Sequence, residues 1–260
     1  MFARRDVIKG MGAGLGTLPL ATVLANPELA RAAAAGLTDL QGETASGKTV
    51  TASLAMPATT PAPAVMLIHE WWGLNDQIKA VAADFAAQGY IALAIDLMDG
   101  EVATDPDGAR ALIGKVGDDP QTAVETCTMW TDFLKTHEAG TGRVGTCGWC
   151  FGGGWSLNAS LASPVDATVV YYGRVNKTAE ELAPLAGPVL GHFATEDKFI
   201  NKPMVDGFVA AMADAGKSLT VYWYEADHAF ANPTSARYDQ EDAALAWDRT
   251  TGFLAQNLQS

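Results

Sequence analysis

Apolar residues along the chain gather into short unbroken runs separated by amphipathic stretches. Ala64–His69, Tyr90–Ile95, Ala167–Tyr172 and Pro188–Ala194 are continuous apolar runs, and each gives way to a loop carrying glycine or polar residues. Runs of this length and content read as strands buried on both faces. Thr49–Met56 alternates as a further strand closed by Pro57, with Ala58–Pro63 a linker or hairpin connection. Between the runs the period changes to that of a helix. Ile78, Val81, Ala82 and Phe85 fall at i, i+3, i+4 and i+7 and predict a helix from Asp76 that Gly89 stops. Asp119-Pro120 is an N-cap followed by proline at the first helical position, opening a helix to about Thr136 with Ala123, Cys127, Trp130 and Leu134 on one face. Further strands are expected over Arg143–Cys147 and Leu219–Tyr224, and helices over Gly152–Ala162, Pro203–Gly216 and Tyr238–Leu258. Only Asp96–Gly117, with Pro106 and several glycines, is weakly patterned; it reads as one short helix in a surface excursion. Strands alternating with helices, without repeats, predict one α/β domain with a mostly parallel central sheet and helices on both faces.

The N-terminus departs from this pattern. Arg4-Arg5-Asp6-Val7-Ile8-Lys9 precedes a weakly apolar run from Gly10 to Ala25, and Ala30-Arg31-Ala32 follows as a small-x-small cleavage candidate. That order predicts a twin-arginine export signal over residues 1–32, delivery to the periplasm, and a working domain over 36–260. The 260 residues are 48% hydrophobic, enough for one sizeable core. The full chain has 17 basic and 30 acidic residues. Without the four basic and two acidic residues of the signal, 13 face 28, a net charge of −15. So acidic a surface repels phosphate backbones and anionic lipids, so neither nucleic acid nor, after signal removal, a membrane is an expected partner. The expected partner is a small molecule, met by a monomer.

Candidate chemistry centres on Gly148-Trp149-Cys150-Phe151-Gly152. This is the glycine-x-nucleophile-x-glycine pattern with cysteine in the central place, set between a strand and a helix. Both glycines are needed where side chains would collide with neighbouring backbone. A nucleophile of this kind needs a base and an orienting acid, and Cys150, Asp197 and His228 occur in the order nucleophile, acid, histidine, each just past a predicted strand. Imidazole can take the thiol proton and return it to a leaving alkoxide, while the carboxylate fixes its tautomer. Glu196 and Asp227 are close rivals to Asp197; His69, His137 and His192 read as structural or solvated. Cys147 and Cys150 also form a C-x-x-C, which opens the alternative of a disulfide oxidoreductase. Against it, Cys147 reads as an inward strand residue rather than an exposed one at a helix start.

Taken together, Leu67–Leu74 (LIHEWWGL), Gly89–Leu97 (GYIALAIDL), Gly148–Gly154 (GWCFGGG), Tyr171-Tyr172-Gly173, Asp197 and His228–Pro233 (HAFANP) resemble the dienelactone hydrolases, or carboxymethylenebutenolidases. The resemblance spans nearly all of the chain after the signal. It implies an α/β-hydrolase fold, a Cys150-Asp197-His228 triad, and hydrolysis of a lactone or activated ester with neither metal nor organic cofactor; a broad carboxylesterase or thioesterase is the alternative. It further implies that Glu70 contacts the resting thiol and moves when substrate binds. The amides of Trp71 and Phe151 are the expected oxyanion hole, and Trp71, Trp72, Trp149, Tyr172 and Phe230 the expected pocket walls. Well-studied members carry an arginine shortly after the histidine where this chain has Asn232, leaving Arg174, Arg110 and Arg237 as candidate cations for a substrate carboxylate.

Overall fold

The computed structural model describes residues 18–259, and the statements below concern these. Eight strands form one sheet: β1 (Thr38–Glu43), β2 (Thr49–Ala55), β3 (Ala62–Ile68), β4 (Ile91–Ile95), β5 (Gly140–Trp149), β6 (Ala167–Tyr171), β7 (Val189–Ala194) and β8 (Leu219–Tyr224). Their spatial order is β1-β2-β4-β3-β5-β6-β7-β8. Pairing is parallel from β4 across to β8, whereas β2 runs antiparallel to both β1 and β4. The proline-rich stretch after β2 therefore makes no hairpin; it carries the chain past β4 to the middle of the sheet. Chain order reverses between β3 and β5, and in open α/β sheets ligands bind beyond the carboxyl ends of the strands at such a reversal.

Helices α3 (Asp76–Ala87), α4 (Pro106–Asp118), α5 (Pro120–Thr136), α6 (Phe151–Ala162), α7 (Ala179–Leu182) and α8 (Lys202–Asp214) connect the strands, and α9 (Gln240–Leu258) follows β8. Alternate strand positions feed opposite cores, as the period of two requires. Val65, Leu67, Ala92, Ala94, Cys147 and Val169 pack with Phe85 of α3 and Leu254 of α9. Their neighbours Met66, Ile68, Leu93 and Ile95 pack with Leu112 of α4, Cys127 and Trp130 of α5, and Trp155 of α6.

Three features depart from the pattern read in the sequence. The excursion after β4 contains the 13-residue helix α4, because Pro106 occupies its first turn, where no amide is missed, and Asp105 accepts the amides of Asp107 and Gly108. Polar β1 escaped the alternation test as an exposed edge strand. The chain from Leu20, read as part of an export signal as far as Ala32, forms α1 (Leu20–Ala25) and α2 (Pro27–Ala34) on α3. Asn26 caps α2 through the amides of Glu28 and Leu29. Val23, Leu24 and Ala30 are buried in the same core as Phe85. The paired arginines Arg4 and Arg5 lie outside the described residues.

Candidate active site

Strand ends bring the candidate residues together. Glu70 lies two residues beyond β3, Cys150 directly after β5, Tyr172 directly after β6, Asp197 three beyond β7 and His228 four beyond β8. All sit at the carboxyl edge of the sheet, with Glu70 and Cys150 flanking the reversal. Cys150 has φ 55° and ψ −115°, a left-handed conformation unfavourable for a side-chain-bearing residue. The tight turn forces it, and the flanking glycines allow it. A Cβ on Gly148 would strike the backbone of Gly152, and one on Gly152 would strike the carbonyl oxygens of Ile68 and His69 at the end of β3. Tyr172 (φ 36°) and Ala229 (φ 65°) share the left-handed region, so three of the four such non-glycine residues among those described border one site.

A continuous hydrogen-bonded chain joins thiol, imidazole and carboxylate. Cys150 Sγ lies 3.2 Å from His228 Nε2, and His228 Nδ1 lies 2.6 Å from Asp197 Oδ2. Asp197 Oδ1 accepts the amides of Phe199 at 2.7 Å and Ile200 at 2.9 Å, which locks the carboxylate to its loop. Burial works against the Asp197 charge, but the His228 hydrogen bond and these amides hold its carboxyl below the usual range. Burial likewise opposes a charged His228, yet the bonds to Asp197 and Cys150 bring its imidazolium up to about 10. The rivals stand apart: Glu196 is exposed, and Asp227 accepts the amide of His228.

Glu70 is buried beside this chain. Its Oε2 accepts from Asn232 Nδ2 at 2.7 Å and its Oε1 from the Tyr172 hydroxyl at 3.4 Å. Among the described residues no hydrogen bond joins it to Cys150, whose thiol bonds His228. Burial pushes the Glu70 carboxyl up, against the bond from Asn232 and the charge of His228. Asn232, the residue in place of an arginine, thus serves Glu70 as a neutral donor. His69 is fully buried: Nδ1 lies 2.6 Å from the Glu70 carbonyl oxygen and Nε2 accepts the Leu97 amide at 3.1 Å. Those partners fix a neutral tautomer, in keeping with burial pushing its pKa down, and make His69 a brace for the Glu70 backbone.

Phe151 is the first residue of α6, so no preceding helical carbonyl is in reach of its amide. Its ring turns away from the thiol and stacks on His69 at 5.9 Å. Trp71 and Trp72 pack edge to face with each other at 4.9 Å, and Phe230 is wholly buried against Tyr172 and Tyr224. A cavity of about 210 Å³ adjoins the site and is lined by Glu70, Trp149 and Tyr172 from the expected set, together with Asn232. Arg110, Arg174 and Arg237 are not in its wall. Arg110 pairs with Asp107 on exposed α4, Arg174 is exposed after β6, and Arg237 reaches Glu70 only through its field. The sequence reading missed the opposite wall, where Leu20, Ala21 and Leu24 of α1 face Trp247 of α9. Among the described residues no three His, Cys, Asp or Glu side chains are grouped to hold a metal ion, and no helix is long and apolar enough to cross a membrane.

The chain is similar to known proteins over most of its length. Residues 50–258 match the model of the dienelactone hydrolase family. The carboxymethylenebutenolidase of Pseudomonas putida is 30% identical over 227 residues, covering 82% of this chain and 94% of that protein. Protein usf of Aquifex pyrophilus is 31% identical over 205 residues, covering 75% and 89%. Among solved structures, a dienelactone hydrolase-like promiscuous phosphotriesterase from metagenomic libraries superimposes with a TM-score of 0.78 at 20% identity, covering 86% of this chain and 99% of that one, which speaks to the fold. The chain belongs to the dienelactone hydrolase family and is a carboxylic ester hydrolase built on the α/β-hydrolase fold.

Proposed function

We propose that Cys150 is the nucleophile of a Cys150-His228-Asp197 triad that hydrolyses a lactone or activated ester. The observation that carries this reading is the unbroken chain of hydrogen bonds from Sγ through imidazole to a buried carboxylate. With the Cys150 proton already held on His228 Nε2 as the imidazolium that Asp197 favours, Cys150 Sγ attacks the carbonyl carbon. The oxygen that gains charge lies against the amides of Phe151 and Trp71, donors worth about 3 kcal/mol each when aimed at the transition state. Collapse breaks the carbon–oxygen bond; the leaving oxygen takes the proton from His228, and the acyl group remains on sulfur as a thioester. His228 then deprotonates a water that attacks the thioester, and the released thiolate faces the imidazolium again. Asp197 keeps the Nδ1 proton in place throughout.

The test is turnover of an enol-lactone and of 4-nitrophenyl acetate by the parent and by Cys150→Ala, with intact-mass detection of an acyl adduct. The parent should turn over at least one and the variant should lose at least 10³-fold, since the nucleophile is gone. Equal rates, or an adduct on another residue, remove Cys150 from the mechanism.

A further inference from the structure

The 210 Å³ cavity touches the reaction centre on one side only. Trp149, the residue before the nucleophile, lines it, and so do Glu70 and Tyr172; Cys150 and His228 do not. In the proposed reaction the leaving oxygen must face His228 to receive its proton, while the acyl group stays on sulfur. That leaves the side next to Trp149 for the acyl group, while the alcohol of an ester departs on the His228 side.

The lining chemistry restricts what enters. Leu20 and Leu24 of α1, Ile78 and Val81 of α3, Trp149 and Trp247 make it apolar. Its carboxylates are Glu70 and Asp248, and among the described residues it contains no Lys, Arg or His. A substrate carboxylate would lose its hydration and find acidic neighbours instead of a cation, an unfavourable exchange. At about 210 Å³ the cavity is smaller than the ~300–1,000 Å³ clefts that take drug-sized ligands, which suits one ring or a short chain.

We infer that this cavity is the acyl subsite for a neutral, apolar ester or lactone, and that α1 is its specificity-determining wall. The inference rests on acyl transfer by Cys150 and adds the substrate class. Gln77 fixes the wall, its Nε2 donating to the Leu24 carbonyl at 3.0 Å and to Thr234 Oγ1 at 3.2 Å, which ties α1 to the loop after His228. A chain cut after Ala32 would lose this wall, so processing there would change which acyl groups are accepted.

The test uses the full chain and three 4-nitrophenyl esters sharing one leaving group: acetate, hexanoate and the mono-ester of adipic acid. The parent should favour hexanoate over the adipate, its carboxylate-bearing counterpart, by at least tenfold in kcat/KM. Ala21→Trp projects an indole into the cavity and should lower the hexanoate-to-acetate ratio at least tenfold. Ala25→Trp, on the exposed end of α1 outside the lining, should leave that ratio within twofold. If Ala21→Trp does not fold, Ala244→Trp on the facing wall supplies the same obstruction. A ratio unmoved by the cavity variants, or a preference for the adipate, overturns the subsite while leaving Cys150 chemistry intact. Absence of turnover of all three esters by the parent would overturn the subsite, and absence of enol-lactone turnover as well would overturn both.

Discussion

Replacing Asp197 with asparagine separates the role of charge from that of shape. The side chain is wholly buried, with one oxygen on His228 Nδ1 at 2.6 Å and the other on the Phe199 and Ile200 amides. In Asp197→Asn the amide oxygen can keep those two amides while its NH₂ faces Nδ1, so the imidazole must hold its proton on Nε2. An Nε2–H donates to the thiol and cannot accept from it. A serine triad loses about 10⁴-fold in kcat by this exchange; a thiol depends less on its base, so about 10²- to 10⁴-fold is expected here, or roughly 3–5 kcal/mol of transition-state stabilisation. The fold loses one charge-assisted bond, about 2 kcal/mol, or about 4–8 °C in Tm. Stopped-flow hydrolysis of 4-nitrophenyl acetate gives the first figure and thermal melts the second. A loss below tenfold with the melt in range would show that Asp197 does not set the tautomer, and the triad would have to be rebuilt around another acid.

Two further outcomes follow from the same geometry. Gly152→Ala should cost 3 kcal/mol or more in urea unfolding, at or above the usual range of about 1–3 for overpacking, because its Cβ meets backbone oxygens at the end of β3 that cannot yield. Gly114→Ala, on exposed α4 with nothing within 4 Å, should gain about 0.5–1 kcal/mol; equal effects at the two positions would refute the steric reading. His228 also ties stability to pH. Its folded value, about 10, lies above the unfolded one near 6.5, so its contribution is complete below the lower value and is lost as pH rises through the higher. Between pH 7 and 9 the parent should lose about 2–3 kcal/mol more than His228→Gln, measured by urea unfolding at both values; parallel losses would mean the imidazolium is not favoured in the fold.

Much of this arrangement was legible in the sequence because each piece rests on a local rule. Buried parallel strands print as unbroken apolar runs, and the elbow demands glycines at fixed places, so β3 to β8 and Cys150 could be located without coordinates. Glu70 shows where such reading ends. The residue and its place at a strand end were visible, but its partners Tyr172 and Asn232 lie 102 and 162 residues away in sequence, and no periodicity joins them. The same holds for α1: its apolar residues read as part of an export signal, and that they also form a helix packed on α3 shows only in the tertiary contacts of Val23 and Leu24. Pro106 misled because a proline among glycines resembles a break, although after a capping aspartate it begins a helix.

The C-x-x-C alternative is decided by where each thiol points. A redox pair needs its first cysteine reachable by a partner disulfide and stabilised as thiolate. Cys147 lies inside β5, paired with Val169 on one side and Leu67 on the other, and its side chain is wholly buried in the core facing α3 and α9. Burial pushes its thiol well above the ordinary range, so it is held protonated and out of reach. Cys150, three residues on, has left the strand through its left-handed turn and meets His228. The turn that brings Cys150 to His228 is thus the same feature that separates it from Cys147: one cysteine belongs to the sheet and the other to the site.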